Sequence, residues 1–77
     1  MSYTRIPKQA VQSVIFNKLY FNEDKAKAWL RSHGFKTAFK PPHKTVNFIR
    51  FRQFNPPRNG KYITRIIGRG IEYIILI

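Results

Sequence analysis

The chain has 77 residues, of which 43% are hydrophobic, and it contains no cysteine. Its 15 Lys and Arg residues against 3 Asp and Glu residues give a formal net charge of +12. This length and apolar content predict one small globular domain, and they exclude a disulfide scaffold, a thiolate metal site and a disordered basic tail.

The positive charge is concentrated in one part of the chain. Between Asp24 and Glu72 there are twelve Lys and Arg residues and not one carboxylate. A folded surface normally carries both signs, because uncompensated like charge destabilises the compact state and attracts polyanions. We therefore expect an anionic partner: nucleic acid, an acidic protein surface or the face of an anionic membrane.

The two ends of the chain differ in character. Residues 1–9 contain Arg5 and Lys8 but no apolar stretch typical of a signal peptide, so we expect a flexible basic arm and no secretion. Residues 71–77 are apolar but too short to span a bilayer, which favours a buried strand. We expect residues 10–77 to form a single domain that works inside a virion or a host cell.

The helix is the element that the sequence defines best. Asn22 is suited to cap its start, and two acidic residues follow where the helix dipole favours anions. Gly34 predicts a left-handed end, and Phe35 would then fold back onto Leu30 in a Schellman cap. The i, i+3, i+4, i+7 spacing predicts a buried stripe of four residues: Ala26, Trp29, Leu30 and His33.

Four strands are predicted by β-branched and aromatic runs that turn residues interrupt. They cover residues 10–16, 46–54, 62–67 and 71–76. Two adjacent prolines in the basic loop 36–45 prevent helix there, while Gly68-Arg69-Gly70 fits either a hairpin turn or a kink in one continuous strand. The order β-α-β-β-β predicts an α+β fold, a single small domain with one helix packed on a mostly antiparallel sheet.

Alternation along residues 46–54 separates the two faces of this strand. Ile49 and Phe51 would form the floor under the helix. The other face then presents two aromatics and two arginines in a row: Phe48, Arg50, Arg52 and Phe54. Arginine bonds phosphate bidentately and aromatic rings stack on bases, so this row is the main candidate for nucleic-acid binding. The alternative is that both phenylalanines belong to the core and the arginines only cover them.

Further cationic residues extend this candidate surface. The third of these strands and its turns contribute Arg58, Lys61, Arg65 and Arg69. The proline-containing loop contributes Lys36, Lys40 and Lys44. Gly68-Arg69-Gly70 has neither spacing of a phosphate-binding glycine loop, so the alternative there is an ordinary turn. For the lysines of the loop, the alternative is a solvated segment without a partner.

The chain lacks the residues on which catalysis usually depends. Two histidines and three acids, without cysteine, do not provide a plausible metal site, and no carboxylate pair is placed for acid–base chemistry. His33 is interpreted as a residue at the end of the helix, on its packed face, that donates to a carbonyl group or to the sheet and is not a metal ligand. We expect no enzymatic activity and no cofactor.

Three motifs in order resemble a known domain. They are Trp29-Leu30-Arg31-Ser32-His33-Gly34-Phe35, Phe51-Arg52-Gln53 and Ile67-Gly68-Arg69-Gly70-Ile71. The arrangement is similar to a small domain that recurs in tailed bacteriophages and large DNA viruses, over about residues 10–74 of this chain. The resemblance implies a virus-associated protein with no established reaction. The connecting segments differ in being basic throughout, which favours nucleic-acid binding in this chain.

Two functions are consistent with these expectations. The first is a small basic viral protein that binds nucleic acid without sequence specificity, with DNA favoured over RNA. The second is a minor structural module of a virion that docks through residues 71–77, whose strand would offer an unpaired edge for a partner or for a homo-oligomer. A regulator of a host nucleic-acid enzyme is a further alternative.

Overall fold

The computed structural model describes residues 7–77. A short 3-10 helix, Lys8–Ala10, leads into strand β1 (Val11–Asn17), and helix α1 (Glu23–Ser32) follows. Four further strands complete the chain: β2 (His43–Lys44), β3 (Phe48–Arg52), β4 (Tyr62–Gly68) and β5 (Ile71–Leu76). The predicted α+β class is confirmed, and β2 is an additional short strand. Of the predicted basic arm, residues 1–6 lie outside the described part.

The five strands form one antiparallel sheet in the order β2-β3-β1-β5-β4. β4 and β5 are joined by a hairpin turn at Arg69 and Gly70. Gly70 has a φ of 77°, a conformation that glycine adopts without steric cost. The hairpin therefore decides between the two alternatives for this segment. Because β5 pairs with β1 on one side and β4 on the other, the expectation that the C-terminal strand offers a free edge is wrong.

Both ends of α1 are fixed by the caps that the sequence predicts. The Asn22 Oδ1 atom accepts a hydrogen bond of 2.8 Å from the Lys25 N–H group. At the other end, Gly34 has a φ of 76° and the Phe35 N–H group donates to the Leu30 carbonyl at 2.8 Å. This is the Schellman arrangement, and it turns the chain back so that Phe35 packs against the core.

Helix α1 packs on one face of the sheet, where the register aligns apolar residues of β1, β3 and β5. The Phe16 ring lies at the centre of this layer, with its centroid 4.9 Å from that of Phe21, 5.7 Å from Trp29 and 5.8 Å from Phe51. All three pairs meet edge to face, a favoured geometry for aromatic rings. The buried cluster comprises Val11, Val14, Phe16, Ala26, Leu30, Ile49, Phe51 and Ile71.

The predicted helix stripe is correct in its centre and wrong at its end. Ala26 and Leu30 are buried, whereas His33 is exposed. The His33 ring instead stacks on Trp29 with centroids 3.8 Å apart, and its Nδ1 atom lies 2.8 Å from the Trp29 carbonyl oxygen. Of the two predicted partners of His33, the structure shows the carbonyl group.

No helix in residues 7–77 is long and apolar enough to cross a membrane. The ten residues of α1 are about half the length that a bilayer requires.

Candidate nucleic-acid interface

The second face of the sheet lies opposite α1, and no helix or strand of residues 7–77 forms a layer on it. We call it the open face. Its members in β1 and β3 are Ser13, Ile15, Asn17, Phe48, Arg50 and Arg52, as the register of the two strands shows. In β5 and β4 they are Glu72, Ile74, Leu76, Tyr62, Thr64 and Ile66. The predicted side for Phe48, Arg50 and Arg52 is therefore confirmed.

Arg50 is held in place by two side chains of β1. Its Nε atom donates to the Ser13 hydroxyl at 3.0 Å, and its Nη2 atom donates to Gln12 Oε1 at 3.0 Å. Gln12 is in turn fixed, because Ser13 donates to its Oε1 atom at 2.6 Å and its own Nε2 atom donates to the Phe54 carbonyl at 2.9 Å. The guanidinium group is thereby oriented before any ligand arrives.

An irregularity in β1 makes this arrangement possible. The pairing of β1 with β5 shifts register between Val11 and Ser13, so that one additional residue is accommodated. Two consecutive polar residues, Gln12 and Ser13, then reach the same guanidinium group, although both are almost fully buried (2% and 0% exposed). Sequence reasoning missed both, and the available signal was a polar pair inside a β-branched run.

The electrostatic environment of Arg50 is unfavourable for its charge. Burial lowers the pKa of Arg50 from its ordinary value, and the neighbouring charge of Arg52 lowers this pKa further. No carboxylate among residues 7–77 forms an ion pair with it. Glu72 lies in the same cross-strand row, but Ile15 stands between the two, which places them about two strand spacings, or roughly 10 Å, apart.

A shallow pocket of about 220 Å³ adjoins Arg52, the next arginine on the open face of β3. Lys40, His43 and Arg52 contribute its polar wall, together with the two prolines of the loop. The short strand β2 brings the loop here, because His43 pairs with Arg50 in the antiparallel register. Lys40 therefore lies beside the row of arginines, and the two can form one cationic surface.

Lys44 is directed to the other side of the sheet. It pairs in register with Ile49, which belongs to the core face, and its Nζ atom forms an ion pair with Glu23. Glu23 also pairs with Lys27 at 3.0 Å. Hydrogen bonds from Lys44 and then Lys27 hold the pKa of Glu23 below its ordinary value. Lys44 thus has an internal counterion and is not part of the open face.

Phe54 does not continue the row of β3. The strand ends at Arg52, and Phe54 lines a separate pocket of about 360 Å³ with Phe35 and Lys36 among its neighbours. The side chain of the preceding residue, Gln53, accepts from the Lys36 N–H group at 2.7 Å and donates to the Lys36 carbonyl at 2.9 Å. Lys36 is therefore tied to this pocket, away from Arg50.

The four remaining basic residues of the predicted binding surface are spread over the molecule. Arg65 pairs in register with Tyr73, which packs against the core, so it lies on the same side of the sheet as α1. Arg69 stands at the hairpin turn, 5.8 Å from the centre of the Tyr20 ring. Arg58 and Lys61 are exposed before β4 begins. The structure thus groups Arg50, Arg52 and Lys40, and it does not bring these four into that group.

Comparison of the chain with protein-family models, curated proteins and solved structures finds no match. The resemblance to a viral domain therefore stays a prediction. Within residues 7–77 no cluster of three or more His, Asp or Glu residues is arranged to hold a metal ion. The fold and the site together define an antiparallel sheet with one helix-covered face and one face that carries an oriented cationic group.

Proposed function

We propose that the protein binds nucleic acid through the open face of its sheet, without sequence specificity. The main support for this proposal is the environment of Arg50. Its guanidinium group is partly buried and oriented by Gln12 and Ser13, yet it has no carboxylate partner among the described residues. A partly buried charge without a counterion is unfavourable, and a bound phosphate would offset that cost with a charge-assisted hydrogen bond.

The neighbours of Arg50 fit the other parts of a nucleotide chain. Arg52 and Lys40 line the adjoining pocket and would contact the next phosphates. Phe48 and Tyr62 are half-buried rings on the open face, and exposed ring surface of this kind stacks on bases. The combination of phosphate contacts and stacking requires no particular base, which is why we propose binding without sequence specificity.

The shape of the sheet favours a single strand over a duplex. Five strands spaced by about 4.8 Å give a face about 19 Å wide between the outer strands, whereas the major groove of B-DNA is about 12 Å wide. A face of this width does not enter the groove, but it does accept a single strand whose bases are unstacked. We propose single-stranded DNA as the preferred ligand, inside a virion or an infected cell, in keeping with the resemblance to a viral domain.

The first experiment is a titration of labelled single-stranded and duplex DNA of equal length at two salt concentrations. With about three phosphate contacts, from Arg50, Arg52 and Lys40, the logarithm of the affinity for the single strand should fall with the logarithm of salt at a slope of about −2. The single strand should bind more tightly than the duplex. Absence of salt-sensitive binding to either DNA would overturn the proposal.

The second experiment separates the site from general charge. Arg50→Ala and Arg65→Ala change the net charge equally, but Arg50 lies on the open face and Arg65 on the other side of the sheet. We expect Arg50→Ala to weaken binding about tenfold, the effect of one lost charge-assisted bidentate contact, and Arg65→Ala to change it less than about twofold. Arg52→Ala gives a further test, because Arg52 is exposed and its loss removes no internal hydrogen bond. Equal effects of the two alanine variants would place binding outside the open face.

A further inference from the structure

Strand β4 is an outer edge of the sheet and is poorly covered. Six of its seven residues are exposed, and only Tyr62 is half-buried. The exposed fraction is 37% for Ile63, 75% for Ile66 and 38% for Ile67. An exposed, apolar edge strand of this length is an acceptor for another strand unless some device blocks it.

The outward-facing backbone groups of β4 follow from one hydrogen bond. The Ile77 N–H group donates to the Lys61 carbonyl at 2.8 Å, which identifies this pair as a hydrogen-bonded pair of the antiparallel ladder. Such pairs alternate with pairs whose N–H and C=O groups point away from the partner strand. The N–H and C=O groups of Tyr62, Thr64 and Ile66 therefore point away from β5, towards the free side.

The opposite edge of the sheet is protected against the addition of a further strand, whereas β4 is not protected in this way. The strand β2 at that edge has only two residues, and Pro41-Pro42 precede it directly. Short edge strands and prolines are known devices against strand addition. In β4 the pairing stays regular from Tyr62 to Ile66, and the one irregularity lies between Ile66 and Gly68 at its end.

The charge of β4 decides against a second copy of this chain as the occupant. When two copies of β4 pair antiparallel through their outward groups, Arg65 lies directly opposite or diagonal to Arg65 of the other copy, or opposite its Lys61. At these distances like charges repel. In the directly opposed register, Lys61 would also face Arg69 of the other copy. Two chains of formal charge +12 each would add repulsion over a longer range.

We infer that β4 binds an extended acidic and apolar segment of another protein by strand addition. The outward groups of Tyr62, Thr64 and Ile66 would bond its backbone. A carboxylate opposite Arg65 would provide the counterion that Arg65 lacks among residues 7–77. An apolar side chain on the same face would cover Ile63. This goes beyond nucleic-acid binding, because Arg65 lies on the side of α1 and Arg50 on the open face.

The test uses two synthetic peptides and the full chain. One is a capped decapeptide of alternating valine and threonine with a single central glutamate, and the other has lysine in place of the glutamate. Binding is followed by NMR titration and by hydrogen exchange of individual amides. We expect the glutamate peptide to slow exchange at Tyr62, Thr64 and Ile66 and to bind about tenfold more tightly than the lysine peptide.

Two variants make the test specific. Thr64→Pro removes one outward N–H group without removing a hydrogen bond to β5, and it should abolish peptide binding, whereas the control Thr64→Val should retain it. If Thr64→Pro does not fold, Arg65→Glu replaces it and should reverse the preference between the two peptides. Three results would overturn the inference: no binding of the glutamate peptide, unchanged binding by the variants, or a dimer of the wild-type chain in sedimentation that Thr64→Pro abolishes.

Discussion

The two faces of the sheet are built from the same strands but differ in the polarity of the groups that they bury. Towards α1, Phe16 and its aromatic neighbours are buried, and none of the residues in the core cluster carries a charge. On the open face, the buried polar residues Gln12 and Ser13 surround the guanidinium group of Arg50. The helix-covered face gains stability from the removal of apolar surface from water. The open face holds a partly buried charge, and hydrogen bonds to Arg50 offset part of the cost of removing it from water.

In so small a protein, stability and ligand binding depend on different faces of the sheet. The helix-covered face has to supply most of the stability, because a chain of this size buries only about 60% of its unfolded surface. A change there should lower the free energy of unfolding. A change on the open face should act mainly on ligand affinity, with stability affected only where the polar network is cut.

The largest effect is expected from Phe16→Ala. The residue is fully buried and contacts three other rings, so its loss should cost about 3–5 kcal/mol of unfolding free energy. Phe48→Ala is the matched change on the open face, where the ring is half-buried, and it should cost about 1 kcal/mol or less while weakening DNA binding. Urea unfolding measures both, and equal costs would contradict the assignment of the two faces. If Phe16→Ala does not fold, Phe16→Leu at a smaller cost serves the same comparison.

The second effect is expected from Gln12→Ala, which cuts the polar network around Arg50. The change removes the acceptor for Arg50 Nη2 and the donor for the Phe54 carbonyl, and it should cost about 1–3 kcal/mol because buried polar groups lose their partners. DNA affinity should fall as well, since Arg50 loses its fixed orientation. Thermal unfolding and DNA titration check the two parts. A variant with wild-type stability and affinity would show that the network does not orient Arg50.

The third effect concerns the turn that closes the helix-covered face. Gly34 has a φ of 76°, a conformation that costs other residues about 1–2 kcal/mol, so Gly34→Ala should lower the unfolding free energy by about this amount. Gly68→Ala is the control, because an added Cβ atom there meets nothing within 4 Å. A thermal melt should separate the two variants by several degrees. Equal melting temperatures would mean that the cap at Gly34 is not under this constraint.

The smallest effect is expected at the exposed ion pairs of Glu23. Hydrogen bonds from Lys44 and Lys27 lower the pKa of this carboxyl from 4.5, so the folded state binds its proton less readily than the unfolded state. The stabilisation is therefore fully present above the ordinary pKa and is lost as the pH falls through the lowered value. The urea midpoints of wild type and Glu23→Gln should differ at neutral pH and converge in acid. Asp24→Asn keeps both ion pairs of Glu23, so it serves as the control variant that retains this loss of stability in acid.

The helix and its caps were predictable because their signals are local. The Asn22 cap and the turn at Gly34 depend on residues within about five positions along the chain. The second predicted strand, residues 46–54, was too long at both ends. Val46 is 89% exposed, because the Thr45 N–H group donates to the Phe48 carbonyl in a turn that β propensity does not reveal. His43 and Lys44 carry no strand signal, since pairing alone defines β2.

The site was predictable in part for the same reason. Alternation along β3 assigned Arg50 and Arg52 to one face, because neighbouring side chains of a strand point to opposite sides. Alternation did not predict the position of Phe54, because β3 ends at Arg52 and the next residue, Gln53, bonds Lys36. The anchor of Arg50 was hidden, because Gln12 is distant from it in the sequence and reaches it only through a register shift.

The pattern of residues along the chain was sufficient for the excess of positive charge, the single amphipathic helix and the side of β3 on which Arg50 and Arg52 lie. The pairing of distant segments was needed to show that β5 is an inner strand and β4 an edge, and that Arg65 is separated from Arg50 by the sheet. The two kinds of information differ in their range along the chain. Caps and alternation arise from neighbours along the chain, whereas strand order arises from hydrogen bonds and packing between segments far apart in sequence, which no local pattern records.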